Sequence, residues 1–290
     1  MKLRFLTISI LIVFLCNKAY AQSQIDSTRT TYSSILGKTK EWAVYLPPSY
    51  QSNPNDSFPV LYLLHGLGGT HTDWIRKGKV QATADSLLAI GAIEPLIIVM
   101  PDAERTYYMN RRDGSYSFED YFVQELLPDV EAQFRIKQER EHRFIAGLSM
   151  GGHGALLYAW HHPHLFSVCA PLSAAIRTDQ EIQQMPDSVF FGRYGLAAGF
   201  IPQGENRITP FWQQNNTLYL AETLPAETLR SIRYYIDIGD DDYIFRGNSH
   251  LHILLSEREI PHEYRVRDGA HNWTYWKASL PSVLEFLYAE

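Results

Sequence analysis

Residues 144–156 read FIAGLSMGGHGAL. An apolar run enters a Gly-x-Ser-x-Gly centred on Ser149, and beyond the last glycines the pattern turns helical. A serine on a sharp strand-to-helix turn sits on strained backbone, and side chains beside it would collide with neighbouring elements. Glycines two residues before and after, here Gly147 and Gly151, relieve that crowding. The stretch therefore predicts a strand, an exposed serine at its carboxyl end, and a helix.

Working outward, FPVLYLLHG (58–66) and PLIIVMPD (95–102) are nearly continuous apolar runs of strand length, as strands covered on both faces are. EWAVYLPPSY (41–50) alternates before a double proline, and FSVCAPLS, IRYYIDIG and HEYRVRDG add three further strands. Between them VQATADSLLAIG, closed by Gly91, and SFEDYFVQELLPDVEAQF, with Ser117 placed as N-cap, carry helical spacing. Strands alternating with helices predict an α/β fold: a mostly parallel sheet with helices on both faces. Residues 175–225 break the rhythm and read as an irregular insertion near the mouth of the sheet.

A serine hydroxyl needs a base, a group that orients the base, and donors for an oxyanion before it attacks a carbonyl. In open parallel sheets chemistry gathers beyond the carboxyl ends of the strands. IRYYIDIG ends in DDDYIF and HEYRVRDG ends in AHNWTYW. An acid after one strand and His271 after the next give the order Ser, Asp, His. His262 begins its strand, at the wrong edge; His250 and His252 fall within a helical stretch, facing solvent. By position Asp240, Asp241 and Asp242 all qualify, whereas Asp237 lies inside the strand. Three consecutive aspartates lack the alternating spacing of a calcium loop, and His161, His162 and His164 in HHPH read as a solvated helix end, so no metal is expected. The backbone N–H of Met150 and that of Leu67, in the glycine-rich loop GLGGTHTDW, are placed to hold an oxyanion.

Together VLYLLHGLGGTHTDW, IIVMPD, YSFEDYFVQELLPDVE, FIAGLSMGGHGAL, IDIGDDDYIF and GAHNWTYW resemble the esterase D family of α/β-hydrolases. Its branches include tributyrin-type esterases, feruloyl and acetylxylan esterases, S-formylglutathione hydrolases and mycolyltransferases. The resemblance covers most of residues 40–290 and implies an α/β-hydrolase fold with no cofactor. It selects Asp242 as the acid, beside Ser149 and His271 with Leu67 and Met150 as oxyanion donors. It also makes Tyr107, Tyr108 and Asn110 of ERTYYMN candidate substrate contacts. Trp273 and Trp276 follow the base and could wall the site for a sugar or a phenolic acid.

The opening MKLRFLTISILIVFLCNKAYA has the basic start, short apolar run and Ala-x-Ala end of a secretory signal peptide, residues 1–21. A single domain over 22–290 would follow, secreted or periplasmic, without stable membrane insertion. Cleavage takes away Lys2, Arg4 and Lys18 and no acid, moving the formal charge from −6 to −9. That charge, without a basic run, argues against nucleic acid as a partner. Cys169 would be the remaining cysteine, a buried small hydrophobe. The sequence thus predicts an exported serine esterase acting on a small-molecule or glycan ester, with short acyl or carbohydrate-linked groups. The alternatives are an acyltransferase that passes the acyl group to a sugar hydroxyl and a non-catalytic glycan-binding module on a hydrolase scaffold.

Overall fold

The computed structural model describes residues 22–288, so the expected leader, residues 1–21, lies outside the described residues. Strands β1 (Gln24–Ser33), β2 (Lys38–Leu46), β3 (Val60–Leu64), β4 (Ile97–Pro101), β5 (Arg143–Leu148), β6 (Val168–Leu172), β7 (Arg233–Gly239) and β8 (Glu263–Arg267) form one sheet. Their order is β1-β2-β4-β3-β5-β6-β7-β8. β1 and β2 are antiparallel at one edge, and every pairing from β4 to β8 is parallel. All residues of β3, β4, β5 and β6 are buried, which explains their unbroken apolar letters.

Two cores flank the sheet. On one face pack α2 (Met150–His161), α4 (Phe245–Glu257) and the helical segment beginning at Phe118–Tyr121. On the other pack α1 (Val80–Ala89) and α5 (Trp273–Phe286). Cys169 is buried in β6, where burial pushes its thiol up. Among the described residues no helix is long and apolar enough to cross a membrane.

Three expectations are corrected. QIDSTRTTYS forms β1, which the sequence did not mark, because this edge strand is largely solvated and needs no apolar alternation. Ser117 stands at the N-cap position without a side-chain cap bond, and the helix it opens contains a π turn at Phe122–Leu126. Residues 175–225 are mostly helical rather than irregular, with helices at Asp179–Gln184, Asp187–Ala198 (α3), Pro210–Gln214 and Thr217–Thr223. The three other than α3 are too short for a hydrophobic period to register, and in α3 exposed Val189, Phe191 and Leu196 lie among the buried positions and blur it. Local chemistry builds them instead: Thr178 and Glu181 form a capping box, and Thr209 and Asn216 cap their helices. Buried Arg207 ties the insertion together, donating to Ile201 O at 2.9 Å and to Asp187 at 2.6 Å.

One buried carboxylate fixes how the last two strands and α5 meet. Asp237, fully buried in β7, accepts from Tyr235 Oη and Ser279 Oγ at 3.1 Å each and from Tyr275 Oη. Arg267 at the end of β8 lies 3.4 Å away. Breaking such a site strands a buried charge or its partners. Asp237→Ala should therefore lower the unfolding free energy by about 3–5 kcal/mol, read from the denaturant midpoint. A loss below about 1 kcal/mol would show that the contacts are dispensable.

Candidate active site

Ser149 has φ 54° and ψ −114° between β5 and α2. A Cβ on Gly147 would lie 2.5 Å from the Gly151 carbonyl oxygen, and one on Gly151 would lie 2.5 Å from that of Leu64. The glycines are required by close backbone approach. The serine backbone is held by Ser149 N–H donating to Leu172 O at 2.9 Å and by Ala175 N–H donating to Ser149 O at 2.9 Å. The strained turn is thus supported by β6 and the segment after it.

The carboxyl ends of β7 and β8 bring up the partners. Ser149 Oγ lies 2.9 Å from His271 Nε2, and His271 Nδ1 lies 2.8 Å from Asp242 Oδ2. With Nδ1–H donating to the carboxylate, Nε2 is free to accept the serine proton. Asp242 is fully buried, and its Oδ1 also accepts Ile244 N–H at 3.0 Å. Asp240 and Asp241 are exposed and shape the loop instead: Asp240 Oδ1 accepts Gly269 N–H at 3.0 Å. Of the three aspartates left open by position, Asp242 is the one that meets His271. The imidazole is held between rings, 4.8 Å from Tyr243 and 4.9 Å from Trp276.

Ser149 and His271 face a cleft of about 240 Å³, lined by Leu67, Gly68, Lys77, Arg193, Tyr243, Trp273 and Trp276 among others. Leu67 N–H and Met150 N–H donate to no partner within the protein among the described residues. The loop bearing Leu67 is fixed from below by His65. Its Nε2 accepts Ala103 N–H at 2.9 Å, which leaves the proton on Nδ1 to donate to Gly66 O at 2.8 Å. Burial pushes the His65 pKa down, in keeping with this neutral form.

Residues 33–287 match the family model described as "Putative esterase". This chain belongs to the esterase family. It is 32% identical to the endo-1,4-beta-xylanase/feruloyl esterase of Xylanibacter ruminicola, over 61% of this chain and 25% of that protein. It is 24% identical to the acetyl esterase of Caldicellulosiruptor saccharolyticus, over 88% of this chain and 95% of that protein. A solved ferulic acid esterase superposes with a TM-score of 0.80 at 30% identity, covering 92% of this chain and 98% of that one. The esterase chain thus spans a quarter of the xylanase-linked relative and nearly the whole of the other two. Its fold is that of the α/β-hydrolases.

Trp273 and Trp276 line the cleft, and Tyr107, Tyr108 and Asn110 are not among its lining residues. Tyr107 is buried against Tyr194, with ring centroids 4.6 Å apart. Tyr108 donates to His65 O at 3.1 Å and packs on Phe118. Asn110 accepts Asp120 N–H at 3.2 Å. Their segment turns inward because both tyrosines take positive φ, 56° and 61°, which carries the rings beneath the cleft. In their place the insertion supplies Arg193, the Asp242 loop supplies Tyr243 and the helix after the glycine loop supplies Lys77. Lys77 is paired with Asp73 at 3.0 Å; Arg193 has no carboxylate partner among the described residues. No spacing rule could have assigned Arg193, since α3 itself was unmarked.

Other polar side chains settle into structural roles. His252 Nδ1 lies 2.7 Å from His262 Nε2, and neither ring lines the cleft. Asn215 is buried and donates to Phe211 O at 2.8 Å. HHPH is not simply a solvated helix end: Glu119 Oε1 lies 2.8 Å from both His161 Nδ1 and His162 Nε2. The carboxylate comes from the helix that Ser117 opens, 42 residues before His161. Burial opposes charge on both sides, yet the Glu119 carboxylate holds His161 above its ordinary value and the two imidazoles hold Glu119 below its own. Glu119 then contributes stability above pH 4.5 that is lost as pH falls through its depressed pKa. His161 contributes stability below pH 6.5 that is lost as pH rises through its raised one. Denaturant midpoints of Glu119→Gln should therefore fall furthest below the parent between these pH values, the gap closing on both sides. A gap independent of pH would contradict the ion pair.

Proposed function

We propose that this esterase hydrolyses carboxylic esters through an acyl-enzyme on Ser149. The observation that carries the reading is the unbroken line from Ser149 Oγ to His271 Nε2 and from His271 Nδ1 to Asp242, at 2.9 and 2.8 Å. His271 takes the serine proton as Oγ attacks the ester carbonyl. The N–H groups of Leu67 and Met150 receive the oxyanion, and His271 then protonates the departing alcohol. A water, deprotonated by His271, releases the acid from Ser149. Asp242 holds the imidazole tautomer and stabilises the imidazolium throughout.

The substrate class we infer is a short-acyl or carbohydrate-linked ester, acetyl or feruloyl. It is supported by the names of the three relatives and by the aromatic wall of Trp273 and Trp276 beside the base. The leader-like residues 1–21 support export, with residues 22–290 as one catalytic domain. Hydrolysis, rather than transfer to a sugar hydroxyl, is the reading we hold.

Purified protein should cleave p-nitrophenyl acetate and at least one of methyl ferulate and acetylated xylan. Ser149→Ala should lower kcat by about 10³-fold or more with its circular dichroism unchanged. Turnover of the variant within about tenfold of the parent would remove Ser149 from the mechanism. Acylated sugar as the main product with added acceptor would replace hydrolysis by transfer.

A further inference from the structure

Beside the glycine loop, and outside the cleft, Glu41 of β2, His71 and Asp102 bring one donor atom each to within 4.8 Å of one another. His71 is only 9% exposed. Its Nε2 lies 3.2 Å from Ser27 O, to which it donates, so Nδ1 is the ring nitrogen left to face inward. That buried Nδ1 has no hydrogen-bond partner. It faces Asp102 Oδ2 at 3.6 Å. Asp102 Oδ1 is already taken, accepting Glu104 N–H at 2.7 Å. A buried ring nitrogen thus faces a carboxylate oxygen, at a separation too long for a hydrogen bond. Two donors bound tetrahedrally to one zinc ion at about 2.0–2.1 Å stand about 3.3 Å apart. The observed spacing is close to that.

We propose that Glu41, His71 and Asp102 form a divalent-cation site selective for Zn²⁺, with solvent completing the coordination. Two carboxylates and a neutral imidazole give a formal charge of −2 against the dication. The imidazole favours zinc over calcium or magnesium. The surroundings have the form that holds metal ligands in place, with a backbone carbonyl behind the imidazole and a backbone N–H behind the carboxylate. Lys40, the nearest buried cation, is occupied by Glu104 at 2.6 Å, and His65 Nε2 lies 3.9 Å from Asp102 Oδ1 while accepting Ala103 N–H. The ion would join the loop that carries Leu67 to β2 and β4. The inference stands apart from the esterase mechanism, since none of its ligands touches Ser149 or His271.

The test is calorimetric titration of the EDTA-treated full chain with ZnCl₂, paired with thermal unfolding. The parent should take up zinc saturably, with a Tm that rises with free zinc; calcium at the same concentration should do neither. Glu41→Gln, at an exposed position, and His71→Asn should each weaken the site by about tenfold or more. Two outcomes would overturn the proposal. A flat isotherm in the parent would mean that a proton alone joins His71 and Asp102. Undiminished uptake in both variants would place the zinc at another histidine pair, such as His161–His162 or His252–His262.

Discussion

The cleft depends on one backbone constraint: Ser149 must stand in a left-handed conformation on the turn between β5 and α2. Such a conformation costs about 1–3 kcal/mol for a residue with a side chain. It persists because Gly147 and Gly151 let three backbone segments approach within distances no Cβ would allow. Two backbone hydrogen bonds from β6 and the segment beyond it then hold the serine in place. The same turn lifts Oγ off the sheet and leaves the first N–H of α2 without a partner among the described residues. The placement of Oγ and of that N–H both follow from one strained residue.

Around that point the fold works by anchoring loops from beneath. Asp237 gathers β7, the end of β8 and α5, so the loops bearing Asp242 and His271 leave the sheet from fixed positions. His65 joins the glycine loop to the end of β4, which sets the height of Leu67. Tyr243 and Trp276 confine the His271 ring from two sides. None of these groups needs to touch a substrate. Each removes a freedom that would otherwise displace Ser149, His271 or Leu67 from its place at the cleft.

What the sequence made legible followed from periodicity and from backbone requirements. Buried parallel strands announce themselves as apolar runs, and the glycines around Ser149 point to the turn; β5 and α2 were therefore readable, as was His271 by its place after β8. Position alone left three aspartates, and the resemblance chose Asp242, the one that meets His271. The illegible parts depend on tertiary contact. β1 is a solvated edge, and in α3 exposed Val189, Phe191 and Leu196 blur the period. Glu119 reaches His161 and His162 from a distant helix, and Arg193 reaches the cleft only because α3 lies over it. Tyr107 and Tyr108 misled for the opposite reason, since positive φ at both turns an exposed-looking aromatic pair into core.

The most direct test of the account is covalent. Incubation of the protein with a fluorophosphonate, followed by intact mass and peptide mapping, reads whether Ser149 is an activated nucleophile. The account predicts one phosphonyl group, on Ser149, with labelling slowed by about 100-fold or more in His271→Ala. Labelling at another residue, or at the parent's rate in His271→Ala, would contradict it.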